Sequence, residues 1–184
     1  MIFRSDSALV DLTKSKAKIL HVGSPGTHKI MDELQSDGKS KWCKFLNSAR
    51  NLGIHTNLEL ITLSKAQMQQ GVLPLLPFLD SVIINEIEIA LLCGEDPNPV
   101  SVDSQSNWDL IKKQATRVLN MGVNKFVAVH TPKGVLAVTR NDFFIQPSVS
   151  LSPEKIINTT GAGMQLQLEF FMRSEEHTSE LQSH

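Results

Sequence analysis

The chain is short of cysteine, of net charge and of long apolar runs, and each shortage excludes something. Two cysteines among 184 residues, Cys43 and Cys93, are too few for a disulfide framework. Both are expected to be buried thiols in a reducing compartment. A formal net charge of −1, from 18 basic and 19 acidic residues, offers no electrostatic footprint for nucleic acid or a membrane surface. No apolar stretch approaches the roughly 20 residues of a membrane-spanning helix. Met1-Ile2-Phe3-Arg4 runs into Ser5-Asp6-Ser7 without the apolar core of a secretory signal. A cytoplasmic protein is expected, with no nucleic-acid or membrane partner. Internal repeats and low-complexity linkers are missing, and so is any Ser-His-Asp or Cys-His pairing of nucleophile and base. His21 and His55 have no companion at metal-ligand spacing and are expected in loops or as satisfied core side chains.

What is present reads as an ordinary globular chain, 41% hydrophobic and 20% charged, long enough for one domain or part of one. Short apolar runs alternate with amphipathic stretches, the pattern of βαβ units and a largely parallel sheet. Strands are expected at 19–22, 56–63, 81–84, 125–130, 135–139 and 143–145. Over 56–63 the alternation sets Leu58, Leu60 and Thr62 against Asn57, Glu59 and Ile61. A helix is expected at 39–52, with Trp42, Phe45, Leu46 and Ala49 on one face and Gly53 closing it. A second is broken near Pro74 and Pro77. A third opens at Asn85 and ends at Gly94. A fourth covers 108–121, with Leu110, Ile111, Ala115, Val118 and Leu119 near one face.

The last twelve residues, 173–184, read Arg-Ser-Glu-Glu-His-Thr-Ser-Glu-Leu-Gln-Ser-His. Reverse-translated, they match a common sequencing-library adapter, and they are set aside as an artefact tail. A charged disordered tail is the alternative and carries no function either. Glu175, Glu176, His177, Glu180 and His184 therefore count for nothing as a metal cluster.

Three stretches carry chemistry. Asn85-Glu86-Ile87-Glu88 follows an apolar strand and opens a helix, so Asn85 and Glu88 suit a capping box. The same amide and carboxylate could hold a hydrated Mg²⁺ near a triphosphate, because Mg²⁺ keeps several of its waters. Residues 126–138 form two apolar strands around Thr131-Pro132-Lys133-Gly134, where a hairpin turn competes with a nucleotide-facing role for His130 and Thr131. Asn158-Thr159-Thr160-Gly161-Ala162-Gly163-Met164 places a small-residue turn before an apolar segment. Backbone N–H groups of such a turn converge on an anion. Glu59, in a fourth and weaker stretch, either borders a phosphate pocket or is a solvated carboxylate at a strand end.

In this order the stretches resemble the PfkB/ribokinase family of carbohydrate kinases, from about residue 19 to 163 and most strongly from residue 80. The family's phosphate-loop signature is N/D-T-T-G-A-G-D, and its N-x-x-E motif corresponds to Asn85 and Glu88. The resemblance implies an α/β, ribokinase-like layered fold with a mostly parallel central sheet flanked by helices, incomplete at both ends. It implies a partial kinase domain over residues 1–172, lacking the sugar-binding N-terminal segment and the β lid through which a full-length parent would form a homodimer. ATP and Mg²⁺ are the implied cofactors, and a small sugar or nucleoside-like compound is the implied substrate. Gly161, Ala162 and Gly163 correspond to the anion hole. Asn85, Glu88, Thr131, Gly134 and Thr160 fall on the nucleotide side, with Glu88 acting on the metal through water. The turn at 130–134 is one residue shorter than the family's usual form and lacks a glycine.

The signature's last position departs from the family. Met164 stands where the resemblance implies the aspartate that accepts the substrate's proton. A one-base deletion in the codon of Gly163 would turn Gly-Asp-Ala into Gly-Met-Gln, leaving residues 164–172 out of frame. Genuine divergence is the alternative, and it implies a nucleotide-binding pseudokinase or regulatory module. An unrelated α/β nucleotide-binding domain sharing only the glycine turn is a third reading.

Overall fold

In the computed structural model, residues 11–14, 16–61, 63–96 and 105–149 are described. The signature at 158–164, with Thr160, Gly161, Ala162, Gly163 and Met164, lies outside the described residues, as does the tail. The chain divides into two compact units, Met1–Pro147 and Ser148–His184. Every named strand and helix belongs to the first.

Connection length decides the direction of each strand. Ile19–Gly23 (β1), His55–Glu59 (β2), Ser81–Asn85 (β3) and Phe126–Thr131 (β4) are separated by long connections and pair in parallel. A parallel pair needs a crossover of roughly a dozen residues or more. Only Pro132 and Lys133 separate β4 from Gly134–Thr139 (β5), which therefore returns antiparallel, as does Phe143–Pro147 (β6) after it. The result is a mixed six-stranded sheet in the order β1-β2-β3-β4-β5-β6. This is the expected α/β class with a mostly parallel sheet and flanking helices.

Three helices cover one face: Lys41–Asn51 (α1), Glu86–Leu92 (α2) and Gln105–Asn120 (α3). Helix α1 buries Trp42, Cys43, Phe45, Leu46 and Ala49, as its periodicity predicts. Gly53, at φ +78°, takes the left-handed conformation that ends a helix without strain. Helix α3 buries Ile111, Ala115, Val118 and Leu119, but Leu110 is 40% exposed and sits at the margin of that face. Facing them from the sheet are Val22, Leu58, Val82, Ile84, Val127, Val129, Leu136 and Val138. Each fully buried branched side chain contributes about 1.5–3 kcal/mol. Cys43 and Cys93 are buried free thiols, as expected, and burial pushes the Cys93 thiol up to about 11.

Two expectations are corrected. Strand β2 ends at Glu59 rather than running to residue 63. The Glu59 carbonyl accepts from Ser24 N–H at 3.0 Å, and the chain then leaves the sheet. Thr56, Asn57 and Leu58 are all fully buried, so the strand does not show one wet face. An inner strand of a parallel sheet loses that alternation. The broken helix before β3 is also more irregular than expected: α-helical Lys65–Gln67, a π turn over Met68–Val72, then a 3-10 helix over Leu73–Phe78. Pro74 has no N–H to give the carbonyl four residues back, so α winding cannot pass through it. Gln69 Nε2 turns to donate to the carbonyls of Leu91 and Leu92 at 2.9 Å each, closing the far end of α2.

Asp80 leads into β3 and is only 6% exposed. Its carboxylate accepts from Thr56 N–H at 3.0 Å and from the Asn124 amide at 2.9 Å. The Arg50 guanidinium lies 3.6 Å away. Burial alone pushes its pKa up. The Asn124 and Thr56 hydrogen bonds and the charges of Arg50 and His55 outweigh burial and hold it below the ordinary value. A depressed folded pKa stabilises the fold above the unfolded value of 3.8, and this is lost as pH falls through the folded value. Asp80→Asn is expected to cost about 1–3 kcal/mol at neutral pH. In paired thermal melts the gap from wild type should narrow only under acid conditions.

Candidate functional site

The carboxyl ends of the parallel strands bring the candidate residues together. Gly23 lies opposite Glu59 across β1 and β2, and Asn85 lies opposite His130 across β3 and β4. In open α/β sheets this end is where ligands bind.

Asn85 is the last residue of β3 and the N-cap of α2. Its Oδ1 accepts from the N–H groups of Ile87 and Glu88 at 3.0 and 2.9 Å. Glu88 Oε2 reaches back to accept from Asn85 N–H at 3.0 Å. The capping box read from the sequence is therefore formed. It accounts for the position of both side chains, but not for why Glu88 is only 4% exposed. Burial is the largest cause that raises the Glu88 pKa to about 7, with the charges of Glu59 and Glu86 adding to it against the Asn85 hydrogen bonds. A buried carboxyl group that also feels two other negative charges is one that a hydrated cation would relieve.

Among the described residues no group of three or more His, Cys, Asp or Glu side chains is placed to hold a metal directly. The residues present fit Mg²⁺ only in an indirect, water-mediated mode. Glu88 would face the cation's water shell, with Glu59 and Glu86 adding negative potential nearby.

Glu59 is the strand-end carboxylate of β2, half-buried and paired rather than free in solvent. Its Oε2 lies 2.7 Å from His21 Nε2, and its side chain is 21% exposed. His21, expected in a loop or as a satisfied core side chain, lies instead within β1, partly exposed. A signal for it existed: in a parallel in-register pair it faces Asn57, on the side of β2 that also carries His55 and Glu59. On β4, burial pushes the His130 pKa down, while Glu86 and Glu59 pull it up.

Thr131 and Gly134 belong to the hairpin. Thr131 Oγ1 donates to the Gly134 carbonyl at 3.2 Å and accepts from Lys133 N–H at 3.1 Å. Lys133 is exposed in the turn. Gly134 adopts φ +150°, and a Cβ there would press on the Gln146 carbonyl and lie 2.9 Å from Pro147 Cα. The glycine is therefore required by the close approach of β6.

Two outcomes are expected. Glu88→Gln preserves the capping box, because glutamine also accepts there. A raised folded pKa stabilises fully below the unfolded value of 4.5 and is lost as pH rises through about 7. Wild type should therefore lose stability relative to Glu88→Gln between mildly acid and mildly alkaline pH, by on the order of 2–3 kcal/mol in denaturant titrations. Gly134→Ala should lower stability by about 1–3 kcal/mol whether or not nucleotide is present, as melts with and without ATP would record.

No family model matches the chain, and no curated protein matches it in sequence. Among the described residues no helix is long and apolar enough to cross a membrane. Solved structures do match. Phosphofructokinase-2 from Escherichia coli aligns over 89% of this chain and 48% of its own at 21% identity and a TM-score of 0.57. The PfkB protein from Polaromonas sp. JS666 aligns over 78% and 44% at 15% identity and 0.55. Aminoimidazole riboside kinase from Salmonella enterica aligns over 78% and 43% at 13% identity and 0.52. The chain thus spans less than half the length of each of these structures, and what it shares with them is the ribokinase-like α/β fold.

Proposed function

We propose that the full-length protein is an ATP-dependent, PfkB-type carbohydrate kinase that phosphorylates a hydroxyl of a sugar or nucleoside-like compound in the cytoplasm. One observation carries the reading. The Asn85–Glu88 capping box lies at the carboxyl end of an inner parallel strand, with a buried carboxyl group within the field of the Glu59 and Glu86 charges, in a sheet that matches sugar and nucleoside kinases. Phosphoryl transfer asks little covalent chemistry of a protein and much positioning and charge stabilisation. Mg²⁺, when bound, would neutralise phosphate charge. Glu88 would orient its water shell, and Asn85 would fix Glu88. The backbone N–H groups of Gly161, Ala162 and Gly163 would receive the charge developing on the transferred group, with Thr160 leading into that turn. The full-length parent would pair through its lid.

The chain as written is proposed to be inactive. Methionine has no basic oxygen or nitrogen, so Met164 cannot take the hydroxyl proton. Loss of a general base costs on the order of 10²–10⁴ in rate. Met164 also sustains the second reading, a nucleotide-binding pseudokinase or regulatory module. A coupled assay over a panel of sugars and nucleosides should detect no substrate-dependent ADP release from this polypeptide. Resequencing the transcript across codons 160–173 separates the readings. Aspartate in frame at 164 supports the kinase, and a confirmed methionine followed by an intact C-terminal half supports the pseudokinase. Substrate-dependent ADP release from the 184-residue chain would overturn the inactive assignment.

A further inference from the structure

A line of hydrogen bonds crosses the sheet on the side away from the apolar core. Lys125 Nζ lies 3.2 Å from His55 Nδ1. His55 Nε2 lies 2.8 Å from Ser81 Oγ, which donates to Asn57 Oδ1 at 2.7 Å. Asn57 Nδ2 lies 2.8 Å from His21 Nδ1, and His21 Nε2 lies 2.7 Å from Glu59 Oε2. Asn57 and Ser81, at its centre, are fully buried.

The chemistry of the two ends sets its direction. An ammonium group can only donate and a carboxylate can only accept. Lys125 at one end and Glu59 at the other therefore require every link to point the same way. His55 must accept at Nδ1 and donate from Nε2, the serine hydroxyl must donate to the amide oxygen, the amide NH₂ must donate to His21 Nδ1, and His21 must donate from Nε2. With both rings neutral, turning the His21 tautomer sets donor against donor at Asn57 and acceptor against acceptor at Glu59, and turning the His55 tautomer sets donor against donor at Lys125. Burial first, and then the Lys125 charge, push the His55 pKa down against the pull of Asp80, which suits a ring that accepts at Nδ1.

We propose that His21 is a positioning residue for Glu59, held in its Nε2–H tautomer by the oriented line Lys125–His55–Ser81–Asn57, so that Glu59 stands at the carboxyl end of β2 with one oxygen fixed. The role of Glu59 toward a nucleotide rests on the kinase reading; the line itself does not.

The test uses the full 184-residue chain labelled with ¹⁵N. Long-range ¹H–¹⁵N correlations report each ring's tautomer, and His21→Gln and His55→Gln assign the signals. At neutral pH both rings should be Nε2–H. Asn57→Asp keeps the acceptor for Ser81 but removes the donor to His21. His21 should then move its proton to Nδ1 or take a second one, while His55 stays unchanged. A wild-type His21 with its proton on Nδ1, or a His21 signal indifferent to Asn57→Asp, overturns the proposal. Should that variant not fold, the wild-type spectrum alone decides. Where Mg²⁺·ATP binds the wild type, Asn57→Asp and Glu59→Gln should weaken it by a similar factor, roughly tenfold. A wild type that binds no Mg²⁺·ATP counts against the kinase reading and leaves the tautomer result to judge the line.

Discussion

Asp80 joins three strands at the amino ends of β2, β3 and β4. Its side chain takes the Thr56 N–H of β2 and the Asn124 amide just before β4, while its own backbone bonds Thr56 and the N–H groups of Lys125 and Phe126. One residue thus sets how β2, β3 and β4 lie against one another. A slip of one residue in a sheet turns every side chain to the other face. Glu59, Asn85 and His130 share the carboxyl end because the amino ends are tied at Asp80. The same tie brings Lys125 to His55, where the polar line toward Glu59 starts.

Much of the architecture was legible in the sequence because it follows from short-range chemistry. Apolar runs marked β1, β3, β4 and β5, and Gly53 and Gly94 closed their helices as read. Asn85 and Glu88 were recognisable as a box because the spacing alone defines the bonds. What escaped depended on neighbours distant in the chain. The end of β2 is set by Ser24 accepting the task of pairing Glu59's carbonyl, which nothing in 56–63 announces. The π turn and 3-10 helix arise where two prolines meet a fixed distance to β3. His21 and His55 looked like isolated histidines because their partners come from adjacent strands, and register is a property of the sheet rather than of any one segment.

At the candidate site the sequence motif and the fold make separate demands on the same residues. Asn85 must cap the start of a helix of seven residues, Glu86–Leu92, and any work toward a nucleotide is added to that. Glu88 satisfies Asn85 with one oxygen and still lies buried within the field of the Glu59 and Glu86 charges, an arrangement that a cap alone does not call for. Gly134 is the opposite case. Its resemblance to a nucleotide-pocket glycine coincides with a strand contact that excludes any side chain. Thr131 likewise spends its hydroxyl on the turn.

The strand order has a consequence for how the sheet is made. Among the described residues, each strand from β2 to β6 pairs with the one just before it in the chain, and none is inserted between two earlier ones. A ribosome releasing the chain residue by residue therefore delivers each of β2 to β6 after its template already exists. The two hairpins at the end close the least chain of all, and sequence-local contacts form fastest. Within β1 to β6, assembly can proceed by one-directional addition, each strand joining an edge already made.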